Sequence, residues 1–419
     1  MPSGDASASG KVLSFEDARH TVEEHASHLR PRGKELLELL DAVGLVLAEP
    51  VLADRNLPSF PRATRDGYAV RAADLAHLPA TLHVVGEIKA GANTSIELES
   101  GHAATIMTGA PTPPGADSIV MVEYTSRTGD RVEIMKAVAA GDNIVPTGSE
   151  ARRGERLLSP GTRLDHAAIA VASSVGRSHL LVYSKPRVAV LATGDEVVDI
   201  DVPPAPYQIR NSNSYSLAAQ IQAAGAEPVL LPIAPDEPER LRELIADGFE
   251  ADLLLLTGGV SMGKYDLVEQ ALAEFQAEFF FTGAQIQPGR PIVFGRIVCG
   301  AGDKGSDYKY FFGLPGNPVS TMVAFELFAR PVLEALAGLP PRRLVFLHAK
   351  LKSEIKTKPG LKRFLPALLS GEFEQAEVEL IRWQGSGDIA ATARANCYLV
   401  IPADREQIAA GEWVPILIR

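Results

Sequence analysis

The sequence predicts a multidomain protein of the α/β plus β class, in which one three-layer α/β/α domain is joined to β-rich domains. Its 419 residues exceed the roughly 100–150 residues of a typical domain. Between 186 and 338, continuous apolar runs alternate with helical patterns, which indicates a parallel sheet covered by helices on both faces. Short β-like runs between Gly- and Pro-rich turns precede and follow that region, as in small β domains.

Composition excludes several classes of protein. Hydrophobic residues make up 46% of the chain and charged residues 22%, which is typical of globular proteins rather than disordered chains. No apolar run approaches the ~20 residues of a membrane span, and the net charge of −11 argues against nonspecific binding to nucleic acid. The two cysteines, Cys299 and Cys397, cannot form a disulfide framework or a cysteine-based zinc site. Because the N-terminus lacks a signal-peptide pattern, we expect a cytoplasmic protein.

Two separate segments, 11–50 and 141–185, form a predicted linking domain of helical and extended structure. Ser14, with an acidic residue three positions later, has the spacing of a capping box, so a helix is expected over 14–29. Leucines at helical intervals predict a second helix over 33–46.

Two β domains are predicted, one over 51–140 and one over 344–419. The clearest linker, residues 338–343, separates the second β domain from the α/β domain. The β-like runs lie at 81–85, 105–107, 118–123, 131–135, 378–383 and 397–401.

The α/β domain is expected over 186–338. Its strands are predicted at 188–191, 228–233, 253–256 and 310–313. Its helices are predicted at 214–224, 237–248, 266–275 and 318–337. Ligands of open α/β sheets bind beyond the carboxyl ends of the strands, so the turns that follow these strands are the candidate site.

Three polar turns follow predicted strands, at 193–196, 257–266 and 313–318. Glycines in the second turn allow the backbone to approach a ligand closely. In the third turn, Asn317 is suited to a helix N-cap and Pro318 to the first helical position, so free N–H groups there favour an anion. The alternative is that the turns use these residues for geometry alone. Three such turns on one sheet edge favour a ligand of the polyphosphate type.

Four carboxylates, Asp66, Glu196, Asp236 and Asp266, lie in predicted turns. Turn aspartates are usually solvated or act as helix caps, but several convergent carboxylates suit Mg²⁺. The nine histidines show no metal-ligand clustering.

Six short motifs then occur in a fixed order along the chain. They are Arg65-Asp66-Gly67-Tyr68-Ala69-Val70, Ile106-Met107-Thr108-Gly109-Ala110-Pro111 with Pro114-Gly115-Ala116-Asp117, Thr193-Gly194-Asp195-Glu196, the 257–266 loop, Gln287-Pro288-Gly289-Arg290-Pro291, and Leu314-Pro315-Gly316-Asn317-Pro318. In this order they resemble the motifs of the MoeA family, the molybdopterin molybdenumtransferases, which are related to the E domain of gephyrin.

The resemblance implies a four-domain chain with a molybdopterin-binding α/β domain and a C-terminal domain similar to a β-barrel. It implies an enzyme of molybdenum cofactor biosynthesis that inserts molybdate into adenylylated molybdopterin and releases AMP, with Mg²⁺ as cofactor. It also implies a homodimer with the site between chains, a molybdopterin adenylyltransferase as a candidate partner, and no binding to nucleic acid or membrane.

Site residues are carried over from the same resemblance. The implied catalytic residues are Asp66, Thr108, Glu196, Asp236 and Asp266, of which Glu196, Asp236 and Asp266 are also the implied metal ligands. The implied substrate-binding residues are Gly258, Gly259, Ser261, Gly263, Pro288, Gly289, Arg290, Pro315, Gly316, Asn317 and Ser386.

The chain departs from the family pattern at several cationic positions. Gln287 and Arg290 stand where the family commonly has lysines, and Pro366 stands where an arginine is usual. Lys264, Arg290 and Arg363 are candidate compensating cations. These departures leave a tungstate-using or specialised paralogue open, and also a non-catalytic molybdopterin-binding or scaffold protein. The additional β domains disfavour a third alternative, an adenylyltransferase.

Overall fold

The structure is a computed structural model that describes residues 11–91, 95–259, 267–299, 307–341 and 343–419. These residues form two compact units. The first unit contains the described residues up to Leu36, Gly44–Ala48 and Leu181–Arg419, and the second contains Leu37–Val43 and Glu49–Leu180.

A six-stranded sheet forms the centre of the second unit. In spatial order its strands are Ser118–Met121, Gly67–Val70, His102–Ile106, Ala80–Ile88, Arg131–Ile134 and Thr125–Thr128. All neighbours are antiparallel except the central pair, His102–Ile106 and Ala80–Ile88. Alternate residues enter two apolar clusters, with Tyr68 in one and Ala69 in the other, so both faces of the sheet are buried. The four runs predicted between 81 and 135 are confirmed as strands.

The linking segments confirm one predicted helix and correct the other. The first helix is Phe15–His28, and the Ser14 hydroxyl caps it by accepting the Asp17 N–H at 3.0 Å. The predicted helix over 33–46 is wrong, because its first part is the strand Lys34–Glu38, which pairs with His179–Tyr183. The leucines that suggested a helix do not cover a core, since Leu36 is 65% exposed and Leu40 76%.

The α/β domain of the first unit contains a six-stranded sheet. In spatial order its strands are Glu227–Leu230, Arg187–Ala192, Leu253–Thr257, Asp307–Leu314, Val293–Cys299 and Glu278–Phe281. The first four strands are parallel, whereas Val293–Cys299 and Glu278–Phe281 join antiparallel. The predicted parallel strands are therefore confirmed, and the sheet as a whole is mixed because an antiparallel pair joins it. These last two strands were not predicted, because a hairpin at a sheet edge does not show the apolar runs of buried parallel strands.

Helices cover both faces of this sheet, so the three-layer prediction is confirmed. One apolar cluster contains Val188 together with residues of Ser212–Ala223 and Pro318–Ala324. The opposite cluster contains Ala189 together with residues of Pro238–Gly248 and Leu267–Glu274. The last helix continues through a π-helical segment, Phe325–Ala329, into Arg330–Leu336.

The C-terminal domain is a closed five-stranded barrel, as the resemblance implied. Around the barrel its strands are Lys362–Ser370, Glu377–Leu380, Leu347–Leu351, Trp413–Ile418 and Cys397–Ile401. Pairing of Cys397–Ile401 with Lys362–Ser370 closes the ring. The short strand Ile286–Gln287, from the α/β region, pairs in parallel with the start of Lys362–Ser370.

The remaining described elements are short. Two-stranded pairs are formed by Val12–Leu13 with Gly283–Ala284, Val51–Leu52 with Arg156–Leu158, Arg62–Ala63 with Ile144–Val145, Val197–Val198 with Ile209–Arg210, and Ile355–Lys356 with Gln407–Ile408. The other helices are His166–Ser174 and Ile389–Arg394, with single helical turns at Ala72–Leu75, Val122–Tyr124 and Phe373–Gln375. Across the parts of the chain that the structure describes, no helix combines the length and apolarity needed to cross a bilayer.

Gly67 allows the strand Gly67–Val70 to lie in close contact with the strand Ser118–Met121. A substitution at this position should therefore lower stability. A Cβ atom at residue 67 would overlap the Val120 carbonyl oxygen and lie 2.9 Å from the Val120 carbonyl carbon. Since backbone cannot move aside as a flexible side chain does, Gly67→Ala should lower the free energy of unfolding by about 2 kcal/mol or more. Denaturant unfolding followed by circular dichroism measures this change.

The matched control for this prediction is Gly86→Ala in the same sheet. A Cβ atom there meets the flexible tip of Ile96, so the loss should be clearly smaller. Equal stability losses in the two variants would contradict the backbone explanation.

Candidate functional site

A cleft of about 380 Å³ lies at the carboxyl ends of the central parallel strands of the α/β domain. Of the residues carried over from the family motifs, six line it: Glu196, Gly258, Gly259, Pro315, Gly316 and Asn317. The three strand-end turns therefore meet as the sheet topology predicts. Ser261, Gly263 and Asp266 lie outside the described residues.

The floor of the cleft is formed by backbone in close contact. Gly258 has φ +93°, and a Cβ atom there would overlap the Thr193 carbonyl oxygen. A Cβ atom on Gly316 would lie 3.5 Å from the Gly258 Cα atom. Glycine at 258 is required both by the positive φ and by the close approach of Thr193. The turns can therefore bring their peptide groups together around a ligand.

Asn213 connects two of these turns and was not among the predicted site residues. Its Nδ2 donates to the Thr257 Oγ1 and to the Gly316 carbonyl oxygen, both at 2.8 Å. Thr257 Oγ1 in turn donates to the Pro315 carbonyl oxygen at 3.3 Å. Both hydrogens of the Asn213 amide are thus used, and the Asn213 Oδ1 is buried without a partner among the described residues. Position 213 was visible in the sequence as part of an Asn-Ser-Asn segment, but its contacts come from tertiary structure.

The last helix begins at the cleft, but its first turn differs from the expectation. Asn317 occupies the N-cap position, yet its side chain makes no capping hydrogen bond. The Val319 N–H donates to the Ser386 carbonyl oxygen at 3.0 Å, so this N–H is not free for an anion. Ser386 therefore lies against the start of the helix that borders the cleft, although it is not part of the cleft lining.

The implied substrate-binding residues 288–290 are not part of the cleft lining. Pro288 and Gly289 are buried and Arg290 is exposed. A Cβ atom on Gly289 would lie 3.4 Å from the Ser320 carbonyl oxygen, which places this loop against the last helix. Pro291, at the end of the loop, does line the cleft.

Negative charge accumulates at one side of the cleft. Asp236 lies outside the lining, and its N–H donates to the Asp195 Oδ1 at 3.1 Å. Burial raises the pKa of Asp236, and the nearby charges of Asp195 and Glu196 raise it further. Within the described residues, no group of three or more potential ligands could hold a metal ion by protein side chains alone.

Asp66 and Thr108 form a second candidate pair, within the second unit. The Thr108 N–H donates to the Asp66 Oδ1 at 2.6 Å, and the Thr108 hydroxyl donates to the same oxygen at 2.9 Å. These two hydrogen bonds, led by the one from the backbone, hold the pKa of Asp66 below its usual value. Both residues are exposed, so the pair presents an ionised carboxylate at the surface.

Comparison with known proteins gives matches along almost the whole chain. Three family models match in order: the MoeA N-terminal region (domain I and II) over residues 13–176, a probable molybdopterin binding domain over 189–335, and the MoeA C-terminal region (domain IV) over 348–418. A protein of Nostoc sp. named molybdopterin molybdenumtransferase is 35% identical over 395 residues, covering 91% of this chain and 88% of the relative. The chain belongs to the MoeA family.

Further relatives agree with MoeA membership over the full length. The molybdopterin molybdenumtransferase of Bacillus subtilis is 31% identical, covering 93% of this chain and 91% of its own. The crystal structure of a molybdopterin biosynthesis MoeA protein from Pyrococcus horikoshii OT3 aligns with a TM-score of 0.77 at 29% identity, covering 98% of this chain and all of that one. The predicted family and fold class are thereby confirmed.

The resemblance to the MoeA motifs implied a lysine at position 287, where this chain has Gln287. The Gln287 Oε1 accepts a hydrogen bond from the Arg363 Nε at 2.8 Å. An arginine of the C-terminal barrel therefore lies beside Gln287.

The Asp66–Thr108 pair generates a prediction about its titration. Thr108→Val keeps the shape and the backbone N–H but removes the hydroxyl donor, so the pKa of Asp66 should rise part of the way toward its ordinary value. A ¹³C NMR titration of the aspartate carboxyl groups measures the change. Asp165, whose pKa is lowered by the N–H of Ala168, is the internal control and should not move. An unchanged titration of Asp66 would show that the hydroxyl contributes nothing.

Proposed function

We propose that the protein is a molybdopterin molybdenumtransferase of molybdenum cofactor biosynthesis. In this reaction molybdate is inserted into adenylylated molybdopterin, and AMP is released. The single observation that carries the proposal is the convergence of Glu196, Gly258 and Gly316 on one cleft at the carboxyl edge of the sheet. A substrate with a pyrophosphate bridge suits a cleft whose floor is closely packed backbone.

The carboxylates of the site suit a divalent cation better than a direct contact with the substrate. Molybdate and the pyrophosphate bridge are anionic, so Glu196 and Asp236 would repel them. Burial and then the charges of Asp195 and Glu196 raise the pKa of Asp236, and a cation would offset those charges. Mg²⁺ usually takes only one or two carboxylates together with phosphate oxygens and water, so Glu196 and Asp236 fit it as ligands, with Asp266 as a further candidate. When bound, Mg²⁺ would withdraw charge from the phosphoanhydride that releases AMP.

The chain's own groups would orient the substrate. The Gly258–Gly259 and Pro315–Gly316 turns bring peptide groups to the cleft, and Asn213 keeps the two turns at a fixed separation through its two hydrogen bonds. A cleft held in this way fixes the anhydride relative to the incoming oxyanion, which lowers the entropy cost of the reaction.

We further infer a homodimer in which Asp66 and Thr108 of one chain act at the cleft of the other. We place the enzyme in the cytoplasm. Its adenylylated substrate requires an adenylyltransferase reaction upstream.

The departures at Gln287 and Pro366 favour one second candidate, a molybdopterin-binding protein without turnover.

Glu196→Gln tests the proposed reaction. Neutralising this carboxylate should lower the rate of AMP release from adenylylated molybdopterin by about 100-fold, measured with molybdate and Mg²⁺ each present or omitted. Glu239→Gln, an exposed position in the first turn of a neighbouring helix, is the matched control and should keep full activity. If the wild-type protein binds the pterin tightly but releases no AMP with molybdate or tungstate, the second candidate is correct.

A mixing experiment tests the shared site. Asp66→Asn and Glu196→Gln should each be inactive as homodimers, but a mixture allowed to exchange chains contains hybrid dimers with one intact site. Statistical exchange at equal amounts should restore about a quarter of wild-type activity. A mixture that stays at the level of the two parents, after exchange is verified by mass spectrometry, would show that each site uses a single chain.

A further inference from the structure

A second cavity, of about 680 Å³, lies within the first unit and is separate from the cleft. Its described lining includes Asp252, which directly precedes the strand Leu253–Thr257, and Tyr308, near the start of the strand Asp307–Leu314. The cavity therefore borders the amino ends of the strands whose carboxyl ends form the cleft. It shares no described lining residue with the cleft, so the proposed reaction does not use it.

Basic residues outnumber acidic ones in the described lining of this cavity. Three arginines and two carboxylates line it, and two of the arginines are paired: Arg32 with Asp252, and Arg296 with Glu278 outside the lining. Arg30, the third, has no carboxylate partner in the part of the chain that the structure describes. Its Nη1 donates only to two backbone carbonyl oxygens, at 2.9 and 2.6 Å. The lining is therefore suited to an anionic ligand.

A chain of hydrogen bonds makes His25 a donor in the same lining. The Tyr310 hydroxyl lies 3.3 Å from the His25 Nδ1 and also forms a hydrogen bond with Arg296. Because a guanidinium can only donate, the Tyr310 oxygen accepts from Arg296 and its own proton is directed at Nδ1. Burial, and then the charge of Arg296, lower the pKa of His25, so the ring is neutral at pH 7. Its proton is therefore on Nε2, which has no partner among the described residues.

Aromatic side chains of this cluster are held in fixed positions. The His25 ring stacks on Phe280 with centroids 3.8 Å apart, and the Arg296 guanidinium lies 3.9 Å from the centre of the Tyr308 ring. The Arg296 Nε also donates to the Glu278 Oε2 at 2.6 Å. A cluster that is already ordered loses little further freedom when a ligand binds. Cavities of several hundred Å³ with aromatic walls and a few convergent polar groups are typical small-molecule sites.

We propose that this cavity binds a planar aromatic anion, with its ring against Tyr308 and its anionic group on the Nε2–H of His25 and the guanidinium of Arg30. Stacking on an aromatic ring suits a flat ligand, and charge-assisted donors suit a phosphate or a carboxylate. The volume accommodates a molecule of nucleotide size. This site is independent of the proposed function, because it has no described lining residue in common with the cleft.

An NMR titration of the full-length protein labelled at histidine ¹³Cε1 tests the inference. The probes are AMP, which joins a flat ring to a phosphate, and pterin-6-carboxylate, which joins a flat ring to a carboxylate. At least one probe should shift the His25 signal saturably, and the probe that does so identifies the anionic group. His25→Gln assigns that signal by its loss. Absence of a saturable shift with both probes would overturn the inference.

Two variants of the lining locate the bound probe. Tyr308→Leu removes the proposed stacking wall and should weaken the affinity about fivefold. Arg30→Gln should weaken binding of the charged probe about threefold but leave binding of adenosine unchanged, a difference that a purely structural role does not predict. Tyr124→Leu is the matched control, because Tyr124 also lies under a cation, with the Lys136 Nζ 4.1 Å from its ring centre, and it should change neither affinity.

The same variants distinguish this cavity from the cleft. Neither Tyr308 nor Arg30 belongs to the described lining of the cleft. A His25 shift that keeps its wild-type affinity in both variants would therefore report binding elsewhere and reject the inference. Release of AMP from adenylylated molybdopterin tests the proposed function separately. A protein that releases no AMP but shows the expected losses in Tyr308→Leu and Arg30→Gln would reject the proposed function alone.

Discussion

The close approach of backbone segments at the carboxyl edge of the α/β sheet is the constraint on which the candidate site depends. Gly258 has no space for a side chain because the Thr193 carbonyl oxygen occupies it, and the Gly316 turn lies against Gly258 from the other side. Asn213 then fixes this arrangement with two hydrogen bonds. The floor of the cleft is therefore formed by peptide groups and small polar side chains, and the charged residues of its described lining are Glu196 and Arg210.

Much of the α/β domain could be predicted because buried parallel strands leave a direct signal. The apolar runs at 188–191 and 253–256 lie within the strands Arg187–Ala192 and Leu253–Thr257, since helices on both faces require apolar residues at every position. The antiparallel strand Val293–Cys299 at the sheet's far side has no such continuous pattern. The leucines around 36–40 misled for the opposite reason: they have helical spacing, but Leu36 and Leu40 are largely exposed and do not contribute to a core.

The sequence could predict those parts of the candidate site whose backbone turn is formed within one short motif. Glycines 258 and 316 mark sharp turns in the sequence, and the strand order brings these turns together. Asn213 and the Gln287–Arg363 pair carry no such mark, because their roles depend on which distant segment lies opposite. In the sequence Gln287 shows only a departure from the motif that the resemblance implied, and its pairing with Arg363 depends on the strand register of the folded chain.

The distribution of charge explains how an acidic site can act on anionic substrates. Burial, and after it the charges of Asp195 and Glu196, raise the pKa of Asp236, so in the proposed function this side would attract a divalent cation and repel a bare oxyanion. When such a cation is bound, the negative charge of these carboxylates would no longer oppose the anionic groups of the proposed substrate.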